Sequence, residues 1–402
     1  MDAEITARRG LIDQLTEQGS IRSERVRSAF ERVRRTAFVS DVPLEEVYAD
    51  RTHTVAEDDG VKVSTVSAPS MQALMLEVAA PLPGEDVLEI GSGGSNAALL
   101  AEMVAPRGSV WTVDIDERVV ERARASLGRH PTPVPVRVDR IDAWEAGTAI
   151  AAGSFDLVEF TVDTWTLPAW LPDALPPGGR VVAPMSICGV GCGWALEWDG
   201  NRLIGRTSFG GGFVGARGAG AEGDEPEEIR SDDVVLAPDR DLDAEWLASV
   251  LSREGEASGA VTHQIMGSEY LPLFLRLLCG SERAGSIRSA SRSKANGFPG
   301  ASWMRTPVWL ADDGLAVIDH RLAGDGVDVF VRSFGSDGPV LAERMAERLR
   351  TWQQSAGGPV FEATPVDAAR ETAPDGVRVL RRGPWEFRLS WQGDVPPRAS
   401  IR

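Results

Sequence analysis

Residues 86–116 read DVLEIGSGGSNAALLAEMVAPRGSVWTVDID. An apolar run ends in a glycine cluster, a segment with helical spacing follows, and a second apolar run ends on Asp114. Strand, glycine turn, helix and second strand open a doubly wound sheet, where ligands gather at the carboxyl ends of the strands. Gly91 and Gly93 let the backbone approach a ligand closely, and the helix behind them presents unpaired N–H groups. Asp114 lies 21 residues after Gly93, the separation at which an acid accepts hydrogen bonds from ribose hydroxyls. A nicotinamide cofactor would fit that spacing. The text, however, is GxGGxN rather than GxGxxG, and Glu89 sits just before it. A carboxylate there repels a pyrophosphate and suits a cofactor whose charges are an ammonium and a sulfonium, such as S-adenosyl-L-methionine.

Working outward, strands are expected at 86–90, 110–114, 133–138, 155–160 and 179–184, with helices between the first three. The segment DERVVERARASLG is capped by Asp116 and closed by Gly128. This alternation predicts an α/β fold, a mostly parallel sheet with helices on both faces. Before it, residues 1–50 carry apolar residues at helical spacing. APSMQALMLEVAA (68–80) reads as a helix with Ser67 as its N-cap. After 184, GWALEWDGNRLIGRTSF is two alternating runs joined by Asp199-Gly200-Asn201, a hairpin. The Gly- and acid-rich stretch 209–229 reads as a loop or linker, and its part around 215–229, which lacks apolar residues to pack, as a hinge. Helical and strand-like segments then start afresh. We therefore expect a catalytic domain over 1–230, with N-terminal helices to about 80, and a C-terminal α+β domain over 231–402.

The 402-residue chain has 43% hydrophobic and 25% charged residues, a soluble globular balance. Its net charge of −18 argues against a nucleic-acid or anionic-membrane surface. No run is long and apolar enough for a membrane span, and the N-terminal stretch has no secretory core, so a cytoplasmic protein is expected. Cys188, Cys192 and Cys279 do not form a disulfide framework, and the four histidines form no ligand-spaced cluster, so no metal is expected.

The order of motifs is more specific than the glycine turn alone. ERVRRTAFVSDVPLEEVYADR, VKVSTVSAPSMQALMLEV, PGEDVLEIGSGGSNAALLAEMV, GSVWTVDIDERVVERARASL, VRVDRIDAWEAG, FDLVEFT and LPPGGRVVAPM follow one another. This succession resembles the protein-L-isoaspartate O-methyltransferase family over roughly residues 20–220. The resemblance implies a Rossmann-like methyltransferase using S-adenosyl-L-methionine to esterify the carboxylate of an aspartate-derived residue in a protein or peptide. It places Glu89, Gly91, Ser92 and Gly93 on the first cofactor motif and Asp114 on the ribose acid. Asp142 with Ala143 falls beside the adenine. Val66, Ser67 and Ala68 fall on the acceptor loop, with Ser67 facing the reacting methyl; helix capping is the competing role for that serine.

Three features depart from the family's repair enzymes. The glycine motif continues as Asn96-Ala97; TVDTWTLPAW puts Asp163, Trp165 and Trp170 where small residues would sit; and about 170 residues follow the region of resemblance. Asp163 and Trp165 are therefore expected to touch substrate. Together the departures resemble the long branch that tailors ribosomally made peptides, in particular lanthipeptides, where a chosen Asp in a macrocycle is esterified and closes to a succinimide (aspartimide), or after hydrolysis gives isoaspartate. General isoaspartate repair is the alternative. The C-terminal segment would then recognise the modified precursor peptide, or serve assembly, a homodimer included.

Overall fold

The structure, a computed structural model, describes residues 3–392 except 41, 92, 152, 222, 224–226, 232–233, 240, 256–263, 266–269, 282, 290–304, 324–325, 353–356 and 367–375. The chain opens with helices Ala3–Glu17 and Glu24–Arg32, a short turn of helix Leu44–Val47, a hairpin of His53–Asp58 with Val61–Val66, and helix Pro69–Ala79. Their apolar stripes (Leu11, Ile12, Leu15, Val26, Phe30, Leu76) pack in one core with helix Ser95–Val104.

A ten-stranded sheet follows. Its strands in chain order are β1 (Asp86–Ile90), β2 (Ser109–Asp114), β3 (Val136–Arg140), β4 (Leu157–Phe160), β5 (Arg180–Ile187), β6 (Val190–Trp198), β7 (Leu203–Gly210), β8 (Pro359–Pro365), β9 (Arg378–Arg382) and β10 (Trp385–Trp391). Across the sheet they lie 9-10-8-7-6-5-4-1-2-3. From β3 to β5 all neighbours are parallel, as expected for buried apolar runs joined by helices. From β5 onward every pair is antiparallel. The hairpin at Asp199-Gly200-Asn201 is present: Gly200 has φ +98°, and Asp199 Oδ1 accepts from the N–H groups of Asn201 and Arg202.

Helix Glu117–Arg129 is capped by Asp116, which accepts from Arg118 N, but it runs one residue past Gly128. Two other expectations need correction. The serine before helix Pro69–Ala79 is not its N-cap: Ala68 is, with no side-chain cap. The N–H of Ser70 is met instead by Asp50 Oδ1 at 2.9 Å.

The chain also does not divide cleanly at 230/231. Residues 229–335 do build a separate antiparallel seven-stranded sheet, backed by helices Ala244–Leu251 and Gly338–Trp352. The strands beyond it, however, return to the first sheet, where β8 pairs with β7 (Phe361 with Gly205, Glu362 with Ile204). Phe361 stacks between Trp194 (4.6 Å between ring centres) and Phe387 (5.6 Å). One apolar cluster runs from Leu88 through Trp194 and Leu273–Leu278 to Trp309 and Phe387. The edge of β7 would leave backbone N–H and C=O groups unpaired, and the far end of the chain supplies their partner strand.

Candidate functional site

The glycine turn leaves β1 at Gly91 (φ +103°) and enters helix Ser95–Val104 from Gly94 (φ +78°). These are the left-handed positions among the described residues of the turn; what Gly93 provides is proximity. A Cβ on Gly93 would stand 3.6 Å from the Thr65 carbonyl oxygen, so the turn lies against the loop carrying Ser67. A Cβ on Gly91 would overlap Thr161 Oγ1, whose hydroxyl donates to Gly91 O at 2.7 Å. The helix has no side-chain cap, so its first N–H groups are not met by a capping side chain. Ser92 lies outside the described residues.

A buried relay ties this turn to the Ser67 loop. Arg35, 6% exposed, donates to Ser67 O and to Gln72 Oε1 (both 2.8 Å), and Gln72 Nε2 donates to Ser95 Oγ at 3.3 Å. Burial lowers the Arg35 pKa to about 10, which leaves it charged at neutral pH. Neither Arg35 nor Gln72 stood out in the sequence, although both lie inside the RRTAFV and SAPSMQA runs. The Ser67 hydroxyl, half-buried, makes no hydrogen bond among the described residues. Val66 is buried and Ala68 half-buried beside it.

Glu89 is turned into the protein and not toward a ligand. It is 1% exposed and stands in register with Thr112 on β2 and Glu159 on β4. Thr112 Oγ1 donates to it, and Asn96 Nδ2 donates 3.0 Å bonds to both Glu89 Oε1 and Glu159 Oε2. Asn96, one of the departures from the family pattern, is thus the bridge between two buried acids. Burial raises both pKa values, Glu89 to about 7 and Glu159 to about 8; the neighbouring Glu89 carboxyl adds to the rise at Glu159. Glu89 therefore presents no exposed charge and is tied to the turn through Asn96 at the start of its helix.

Asp114, at the tip of β2, is half-buried and accepts from Asp116 N at 2.9 Å. Asp142 follows β3, and its Oδ1 accepts from Trp144 N at 3.0 Å. Ala143 is buried, and its carbonyl is taken by the indole N–H of Trp170 at 2.6 Å. Trp170 is therefore a core residue. On the other side of Gly91, Asp163 accepts from Ser186 Oγ. Asp163, Thr164, Trp165 and Ser186 line a cavity of about 340 Å³ with Gly215, Ala216 and Gly220. Arg382, on β9 and 2% exposed, holds its inner wall by donating to Trp165 O (3.2 Å) and Ser186 O (3.0 Å). This wall residue carried no signal in the sequence, because only the fold brings β9 there.

A sequence profile described as protein-L-isoaspartate(D-aspartate) O-methyltransferase matches residues 6–189. The protein-L-isoaspartate O-methyltransferase of Methanopyrus kandleri is 34% identical over 206 residues, covering 51% of this chain and 88% of that protein. The chain belongs to the protein-L-isoaspartate O-methyltransferase family. The enzyme of that name from Methanothermobacter thermautotrophicus is 41% identical over 121 residues, 30% of this chain and about half (54%) of that relative. A solved protein-L-isoaspartate O-methyltransferase aligns over 88% of this chain and 96% of its own, with 20% identity and a TM-score of 0.48.

As a member of this family the chain is a methyltransferase, and its cofactor is S-adenosyl-L-methionine. The donor set fits that group. Asp114 and Asp142 stand at the carboxyl edge of β2 and β3, where acids disfavour a pyrophosphate and tolerate a cationic cofactor, while Asp116 beside them is paired with Arg118 and Arg217. Asp114 would hold the ribose, Asp142 the adenine, and the backbone of Gly91–Gly94 the amino-acid end. Among the described residues no His, Cys, Asp and Glu cluster could hold a metal, all three cysteines are buried thiols, and no helix is long and apolar enough to cross a membrane.

Proposed function

We propose that the protein esterifies the carboxylate of an isoaspartyl residue in a protein or peptide. The observation that carries this reading is the Arg35–Gln72–Ser95 relay, which fixes the Ser67 loop against the glycine turn. When bound, S-adenosyl-L-methionine supplies an electrophilic methyl group. The acceptor carboxylate would take that methyl as its ester, with S-adenosylhomocysteine as the leaving group. An ionised carboxylate needs no general base at neutral pH. The protein's task is alignment: Ser67 donates to the acceptor carboxylate, and the relay keeps the serine on line with the cofactor end of the cleft.

The test is transfer of label from radiolabelled S-adenosyl-L-methionine to peptides carrying isoaspartate or aspartate at one position. We expect a base-labile methyl ester on the isoaspartyl peptide only. Asp114→Ala should weaken cofactor binding by about 1.5–3 kcal/mol, the worth of a charge-assisted hydrogen bond. Unchanged affinity by calorimetry would remove Asp114 from the site.

A second, narrower reading is supported by Arg382. Because β9 braces the Trp165 side of the cavity, the acceptor wall depends on the C-terminal strands, as expected of an enzyme shaped for one substrate. We propose that this substrate is a macrocyclic, lanthipeptide-type precursor peptide, whose ring presents its Asp already bent and loses less entropy on binding. Asp163 and Trp165 would contact the ring, and the product would close to a succinimide with loss of methanol. Equal rates on the macrocycle and on linear isoaspartyl peptides would leave general repair as the function.

A further inference from the structure

The stretch 211–221, which reads as a linker, is laid across the mouth of the cleft. Gly211 packs on Met71, in the helix behind Ser67. Asp163 N donates to Val214 O at 2.8 Å, and Ala216 N donates to Asp163 O at 2.9 Å. Arg217 pairs with Asp116 at 3.0 Å and with Asp58 of the N-terminal hairpin at 3.7 Å. Gly218 (φ +67°) lies so close to Asp142 Oδ2 and Ile115 Cδ1 that a Cβ there would overlap both. Ala219 N donates to Asp142 Oδ2 at 3.0 Å, and the buried Gly220 abuts the Trp144 ring.

These contacts use the groups assigned above to the adenosine. Trp144 N donates to one oxygen of Asp142 and Ala219 N to the other, so each carboxylate oxygen holds one backbone N–H. An N–H on that acid is the same kind of donor as the amino group of a purine. The Ile115 side chain, next to Asp114, is the apolar surface on which a purine face would rest, and Gly218 rests there. We propose that residues 211–221 are a self-ligand of the cofactor cleft, filling the adenine subsite through Gly218 and the Ala219 N–H and leaving it when S-adenosyl-L-methionine binds. The inference rests on placing the adenosine at Asp114 and Asp142. Six of the eleven residues 210–220 are glycines, which allows a second backbone path for the same segment. At its start Phe213 packs against the N-terminal core and Gly211 N donates to Gly191 O at 3.4 Å; over the adenosine groups the anchors are one backbone pair to Asp163, one N–H to Asp142 and the half-exposed ion pairs of Arg217. Occupancy by the chain itself reduces apparent affinity by the fraction of molecules in the open state.

The experiment uses the full-length protein and S-adenosylhomocysteine as probe, with calorimetry and amide hydrogen exchange. Adding the probe should increase exchange in 211–221. Arg217→Ala, which loses both ion pairs, should bind the probe more tightly, by up to about fivefold. Ala219→Pro, which removes the N–H from Asp142, should tighten binding by about tenfold, and Arg217→Lys should return toward wild type. Circular dichroism confirms that each variant is folded; the two positions make independent tests. If the probe protects 211–221 and both variants bind it more weakly, the segment is a roof that holds the cofactor, and the proposal is overturned. Binding unchanged in both folded variants overturns it too. No binding even by the wild-type chain would overturn it together with the cofactor assignment beneath it.

Discussion

The two halves of the ten-stranded sheet are built by different rules. The parallel half, β3-β2-β1-β4-β5, is made by the single stretch 86–187, and each strand reaches its neighbour through a nearby helix or loop. The antiparallel half starts as a local hairpin, β6–β7, and is then completed by β8, β10 and β9 from residues 359–391. The cofactor acids Asp114, Asp116 and Asp142 belong to the first half. The wall behind Trp165 and Ser186 depends on Arg382 from the second. The acids proposed for the cofactor are thus local in the chain, whereas the cavity proposed for the acceptor is a long-range product of folding. On that proposal, substrate preference would change through the far end of the chain while the cofactor edge stays as it is.

The strongest way to break this contrast is to remove the remote strands. A chain ending at residue 229 keeps every cofactor residue named above. It loses β8–β10, and with them the ring stack that covers Trp194 and the edge of β7. Truncating even one such buried ring to alanine typically costs about 3–5 kcal/mol, a large share of a domain's stability. We expect the shortened chain to show no cooperative thermal transition and no titration with S-adenosylhomocysteine. A truncated protein that melts cooperatively and binds the probe would show the parallel half to be self-sufficient.

A smaller effect probes the parallel half by itself. Glu89 and Glu159 have folded pKa values of about 7 and about 8, raised by burial above the unfolded value near 4.5. Between those limits the folded chain holds protons that the unfolded chain has released. Stability therefore falls as pH rises from about 4.5 to 8 and levels off beyond. Every tenfold change in proton affinity is worth about 1.4 kcal/mol. Glu159→Gln removes one of the two groups while keeping its size, so the melting temperature should decline less between pH 5 and 8 than in the wild type. Parallel melting curves for the two proteins would show that Glu159 does not hold a proton in the fold.

What was legible in the sequence follows the same division. The strand–turn–helix pattern placed β1, β2 and the Asp116 cap, because apolar period and capping chemistry are properties of a few adjacent residues. The same holds for the hairpin at Gly200. Glu89, Asp114 and Ser67 were visible as types at a spacing, but the inward turn of Glu89 was not. That turn depends on Asn96 and Glu159, which are seven and seventy positions away and meet only when β1 and β4 pair. The stretch 211–221 was misread for a similar reason. With few apolar residues it looked unable to pack, yet Phe213 packs against the N-terminal core, and the rest is held by backbone N–H groups, glycines close against side chains and one arginine, which hydropathy does not register. Arg382 gave no signal at all.

The smallest predicted effect concerns Ser67, and it separates the two roles that its position in the sequence allowed. Helix Pro69–Ala79 takes its cap bond from Asp50 to the N–H of Ser70, so the serine hydroxyl does not close the helix. Loss of a true N-cap would cost about 1 kcal/mol. Ser67→Ala should instead shift stability by less than about 0.5 kcal/mol, as at an ordinary surface position. Affinity for S-adenosylhomocysteine should be unchanged, because the Ser67 hydroxyl is proposed to meet the acceptor carboxylate and not the cofactor. Turnover on an isoaspartyl peptide should fall about threefold to tenfold, the worth of one hydrogen bond to the acceptor carboxylate. Asp50→Ala gives the opposite pattern: a lower melting temperature, with turnover per folded molecule retained as long as Arg35 still holds the Ser67 carbonyl. If Ser67→Ala lowers the melting temperature and leaves turnover intact, the serine is a structural residue, and the acceptor must be aligned by the relay and the cavity wall.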